Sequence, residues 1–165
     1  MSQTASEQVA TKHVKDRREL RFDTMDDILD DATAMATAGW RALGNWSLGQ
    51  ACYHLAKTIE MSIDGIDYKA PWYFRIVGKL RRNKMLSSTF PSGFKGPPQI
   101  VERLETTNEV SDDEGLKMLE SAIRRFKSEP QRKPNPFFGD LSDADWLRLH
   151  CRHSELHLGF FRAGG

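Results

Sequence analysis

Residues 142–161, SDADWLRLHCRHSELHLGFF, decide how this chain is read. Ser142 suits a helix N-cap and Asp145 the first turn, where a carboxylate meets the positive end of the helix dipole. The spacing predicts a last helix running to about Phe161. Trp146, Leu149, Leu156 and Phe160 form its inward stripe. His150, His153 and His157 stand 3, 4 and 7 residues apart, so all three fall on or beside that stripe. Three imidazoles facing a core need partners, because an unpaired buried polar group is costly.

Working outward, four more segments carry helical periodicity. Asp23 or Thr24 caps a helix bearing Met25, Ile28, Leu29, Ala32 and Met35, with Gly39 as its stop. Ser47 and Gln50 form a capping box for a helix with Leu48, Cys52, Leu55, Ile59 and Ile63, ended by Gly65. Pro71 suits the first turn of a third, with Trp72, Ile76, Val77 and Leu80. Ser111 and Glu114 read as another capping box, ahead of Leu116, Leu119, Ile123 and Phe126. Arg18–Phe22 alternates and is read as extended against the body. No convincing strand pair is seen. The fold expected is all-α: a bundle with a core of four helices, an additional short helix and two long Pro/Gly-rich loops at 87–100 and 130–141. Residues 1–17 are expected to be a flexible arm, and 18–165 one domain.

Composition narrows the function. The chain has 165 residues, 24 Lys plus Arg against 23 Asp plus Glu, and a net charge of +1. That balance argues against a protein held to nucleic acid by phosphate contacts. The basic cluster Lys79, Arg81, Arg82 and Lys84, downstream of Trp72, Tyr73 and Phe74, is read as a solvated helix face. The acidic stretch 102–114 could also neutralise it, within the monomer or across a dimer. Four Trp and nine Phe supply core volume. No run approaches the roughly 18 apolar residues of a membrane span, and no membrane partner is expected. The start lacks an apolar signal-peptide segment, and two cysteines make no disulfide framework. A cytoplasmic setting is the expectation.

Chemistry concentrates in the histidines. His153 and His157, at i and i+4, can grip one cation. His54, on the flank of the second helix, is the other histidine within an expected helix; His13 lies in the arm. The alternative is that each imidazole bonds a carbonyl or water. His150 suits a pocket position better than a ligand position. Several sharper motifs fail: HSELH is not the H-E-x-x-H of zinc proteases, and no Glu stands three residues before any His, as di-iron bundles require. Cys52 and Cys151 are read as packing residues.

The stretches NWSLGQACYHLAKTIEMSIDG (45–65) and PNPFFGDLSDADWLRLHCRHSELHLGFF (134–161) resemble the DinB-like metalloprotein superfamily, closest to a bacterial branch of unknown function. The resemblance spans about residues 18–162. It implies a DinB-type four-helix bundle, commonly a homodimer, and a divalent metal held by His54, His153 and His157. Many relatives carry a further His or Gln after the last ligand, where this chain has Leu158 and Gly159. Better-known members are thiol-dependent transferases or isomerases. The expectation is therefore an open three-His site, with zinc or nickel first and iron or manganese as further options. A low-molecular-weight thiol would ionise at such an ion and attack a small-molecule substrate. His150 and Glu155 are candidates for outer-shell or proton-transfer roles, Glu155 the weaker because it points off the histidine face. The alternative is a non-catalytic metal- or small-molecule-binding protein of a stress type.

Overall fold

The computed structural model describes residues 8–93 and 96–164. Residues 1–7 of the expected arm lie outside the described residues. Within them the order is a 3-10 turn at Thr11–His13, then α1 (Met25–Ala38), β1 (Trp40–Ala42), α2 (Leu48–Asp64), α3 (Trp72–Ser87), α4 (Pro98–Leu104), α5 (Asp112–Ser128), α6 (Asp143–Leu158) and β2 (Phe161–Ala163). The fold is all-α, with one small antiparallel strand pair.

The helix starts follow their capping chemistry. Thr24 Oγ1 accepts from the Asp27 amide at 3.1 Å, and Asp27 returns a bond to the Thr24 amide at 2.8 Å. Ser47 and Gln50 do the same for α2. At α5 only the Ser111 half is made: its hydroxyl accepts from the Glu114 amide. Gly65 ends α2 at φ +83°, a backbone conformation that costs glycine little.

α1, α2, α5 and α6 enclose the core. α2 packs on α5 and α6, and α1 on the same two helices. Ile28, Leu48, Leu55, Ile59, Leu119, Trp146 and Leu158 are fully buried, each aliphatic worth about 1.5–3 kcal/mol. α2 and α5 touch backbone to backbone at Gly49 and Gly115, where a Cβ on Gly115 would fall 2.5 Å from the Gly49 carbonyl oxygen. Asp112, the first residue of α5, accepts from the Gly49 amide at 3.1 Å and from the Trp40 indole at 2.6 Å. α3 packs on α6, and α4 lies on α2.

Beyond the half-made cap at Ser111, the structure departs from the sequence reading at the end of the last helix and in the 87–100 loop. The last helix stops at Leu158 rather than Phe161, and residues 161–163 pair with 40–42, a strand pair the sequence reading did not include. The turn comes where Gly159 meets the N-terminal stretch: the Arg18 amide donates to the Gly159 carbonyl at 2.8 Å, and the Arg18 guanidinium reaches the Leu158 and Phe161 carbonyls while pairing with Asp31. A strand of three residues has no period to read, and Phe160 and Phe161 fit a helical stripe equally well. The other departure is α4, seven residues opening on Pro97–Pro98 at the end of the expected 87–100 loop. Proline occupies its first turn, where no amide is needed.

Candidate metal centre

His54 enters from the middle of α2, and His153 and His157 from successive turns of α6. His54 Nε2 lies 3.2 Å from His153 Nε2, and His157 Nε2 lies 3.0 Å from the same atom. The three ligand-capable nitrogens all fall within 4.8 Å of one another, a group that could hold a metal ion. The structure thus brings together the three histidines singled out as a triad.

The outer side of His54 explains its orientation. Nδ1 sits 3.0 Å from the Leu104 carbonyl oxygen, at the end of α4. A carbonyl only accepts, so Nδ1 carries the proton and Nε2 presents its lone pair inward. The Trp46 ring stacks on His157, centroids 5.1 Å apart at 17°, and tilts against His54 at 5.0 Å. Phe90 covers His153 at 6.3 Å. Sequence reasoning missed Leu104 and Phe90, which act through a backbone atom and a loop ring. Trp46 stood within the quoted NWSLGQ motif but carried no ligand signal.

The electrostatics favour neutral imidazoles. Burial pulls His54 down to about 4, against a weaker upward pull from its Leu104 bond. His153 and His157 also lie well below 6.5, through burial first and then the neighbouring imidazoles. A neutral ring is the form that ligates a metal. It also leaves a conflict: a proton on His153 Nε2 serves one of its two short contacts well, not both, whereas a cation serves all three lone pairs. Three nitrogens at about 2.0–2.1 Å from a tetrahedral zinc stand about 3.3 Å apart. Two edges of the triad, at 3.0 and 3.2 Å, come close to that spacing, and the third lies within 4.8 Å. His54 is buried, while His153 and His157 keep partial exposure.

The remaining candidates lie elsewhere. His150 stacks on Trp146 with centroids 5.4 Å apart and meets the Phe126 edge-on at 5.2 Å, turned towards α5. Its Nε2 is buried without a hydrogen-bond partner, and burial followed by the Arg132 charge pushes it down to about 3. Glu155 Oε1 accepts from the Phe22 amide at 2.7 Å and pairs with Arg152 at 2.7 Å, both side chains buried. It anchors the N-terminal stretch on the side of α6 away from the triad. His13 is exposed and outside the cluster. Cavities of about 440 Å³, between α3 and α6, and about 380 Å³, beside Phe126 and Lys127, lie away from the triad. No helix among the described residues is long and apolar enough to cross a membrane.

A helical bundle with a clustered histidine triad is the class that fold and site define. Residues 14–163 match the family described as protein of unknown function (DUF1569), and the chain belongs to it. Neither a curated protein nor a solved structure matches it.

Proposed function

We propose that the chain is a DinB-like divalent-metal-binding protein, with His54, His153 and His157 as the ligands, acting as a transferase or isomerase that uses a low-molecular-weight thiol. The convergence of three Nε2 atoms carries the metal-binding part of this reading, and the resemblance to the DinB-like superfamily supports the thiol chemistry. Zinc and nickel suit such an imidazole set first and iron next, while manganese, which prefers oxygen donors, suits it least. When bound, a divalent ion supplies Lewis acidity that makes a water or small thiol at the open position a stronger acid.

The chain's own residues have separable parts in this. The Leu104 carbonyl holds the His54 ring in its ligating tautomer. Trp46 and Phe90 screen the rings from bulk water. The partial exposure of His153 and His157 leaves an approach for a small molecule. The protein's own thiols are unsuited to the work. Both are buried, and burial raises Cys52 to about 12 and Cys151 to about 11, so the nucleophile would come from outside.

The test is a metal-loaded assay against a panel of thiols and electrophiles, with His54→Ala as control. Turnover that needs both metal and an added thiol, and is absent in the variant, supports the reading. Full metal occupancy without turnover on any pair favours the non-catalytic alternative, a bundle whose metal serves stability or binding.

A further inference from the structure

α3 presents an apolar face to solvent. Trp72 is 70% exposed and Leu80 80%, and Tyr73, Phe74, Ile76 and Val77 are each about half exposed. Trp72, Ile76 and Leu80 recur every fourth residue, with Tyr73 and Val77 beside them, so five of the six form one stripe along the helix. The opposite side is the packed one. Leu86 is buried, and Gly78 lies so close to the Phe137 carbonyl that a Cβ there would collide with it. The exposed stripe therefore points away from the bundle. Contiguous apolar surface of this kind marks an interaction site.

The charges beside it have one sign. Arg75, Lys79, Arg81, Arg82 and Lys84 lie on α3, and residues 68–101 contain seven Lys or Arg and no Asp or Glu. With seven of 24 basic residues set aside, 17 remain against all 23 acidic ones, so the other residues carry a net −6. Two copies pairing α3 to α3 would bring Lys79, Arg81 and Lys84 of each to one seam with no acid from either helix, which is unfavourable. An aromatic and aliphatic stripe flanked by Lys and Arg is instead the pattern of a helix lying in the headgroup region of an anionic bilayer.

We propose that α3 is a membrane-surface helix that seats Trp72, Tyr73, Ile76, Val77 and Leu80 among the headgroups of an anionic lipid surface, held there by its basic flanks. The absence of a spanning segment does not oppose this, because a surface helix crosses nothing. The inference is independent of any metal chemistry at the triad.

Co-sedimentation of the full chain with vesicles of phosphatidylglycerol and phosphatidylcholine, against phosphatidylcholine alone, tests it. Binding should favour the anionic vesicles by about tenfold or more and weaken with added salt. Tryptophan emission should shift to the blue on binding, and that shift should shrink in Trp72→Phe. Leu80→Glu, at a site exposed enough to leave folding intact, should abolish association while circular dichroism stays unchanged. Equal or absent binding to the two vesicle types overturns the proposal. So does sedimentation showing a wild-type dimer that Leu80→Glu dissociates, without vesicle binding, which would assign the face to a second copy of the chain.

Discussion

His54 Nε2 and His153 Nε2 lie 3.2 Å apart across 99 residues of sequence. That meeting depends on how α2 sits between α5 and α6. The Gly49–Gly115 approach sets the spacing of α2 and α5, and α4 places the Leu104 carbonyl behind the His54 ring. The i, i+4 pair of α6 is local, and helix packing completes the candidate site by bringing His54 to it.

The triad should bind metal as a unit. Purified protein should carry close to one divalent ion per chain, and His54→Ala, His153→Ala or His157→Ala should each lower occupancy sharply while leaving the helical content intact. Metal analysis alongside circular dichroism checks this. Unchanged occupancy in His54→Ala would remove α2 from the site.

Trp46 should act through the rings it covers. Trp46→Ala frees the His157 and His54 imidazoles to reorient and should weaken metal binding by about 10–100-fold, the range seen for groups that position ligands. Competition titration against a chelator measures the change, and an unaltered affinity would make the stacking incidental.

The buried Arg152–Glu155 pair should matter to folding rather than to metal. Glu155→Ala strips the partner from a guanidinium that is 3% exposed and should cost about 3–5 kcal/mol. Urea unfolding reads this, with metal content of the folded fraction as the second readout. Normal stability with lost metal would place Glu155 at the site after all.

Helix spacing should be equally intolerant. Gly115→Ala puts a methyl 2.5 Å from the Gly49 carbonyl oxygen, which forces α5 off α2. A loss of about 1–3 kcal/mol is expected, with weaker metal binding as His54 is displaced. A neutral effect in unfolding experiments would mean the helices pass with room to spare.

Acid should destabilise the metal-free protein early. His54 and His150 fall from 6.5 to about 4 and about 3 in the folded state, with His153 and His157 lowered too. Below pH 6.5 the unfolded chain takes up protons that the folded one refuses, so stability is full above 6.5 and is lost as pH falls towards those values. Asp27 and Asp64, whose carboxyls are lowered from 3.8, add their loss only below that pH. Urea midpoints measured from above pH 6.5 down to pH 4 test the sign. A flat profile would contradict buried neutral histidines, and bound metal should shift the loss to lower pH.

Much of this was legible in the chain because helices write their boundaries and faces locally. Thr24, Ser47, Ser111 and Ser142 cap where their side chains predict. His153 and His157 share a face by spacing alone. His54 was reachable only by pairing two distant helices. What escaped depends on three dimensions: the short β1–β2 pair, the Leu104 carbonyl, and the side to which His150 turns. By helix angles His150 lies only about 60° from His153 and about 20° from His157, so what sets it apart is the axial rise of about 4.5 and about 10.5 Å, which leaves it level with Trp146 and Phe126.

X-ray absorption at the metal edge of the zinc-loaded protein reaches the central claim most directly. Three imidazole nitrogens at about 2.0–2.1 Å, dropping to two in His54→Ala, is the predicted result. A spectrum without imidazole scattering, or one indifferent to His54→Ala, would contradict it.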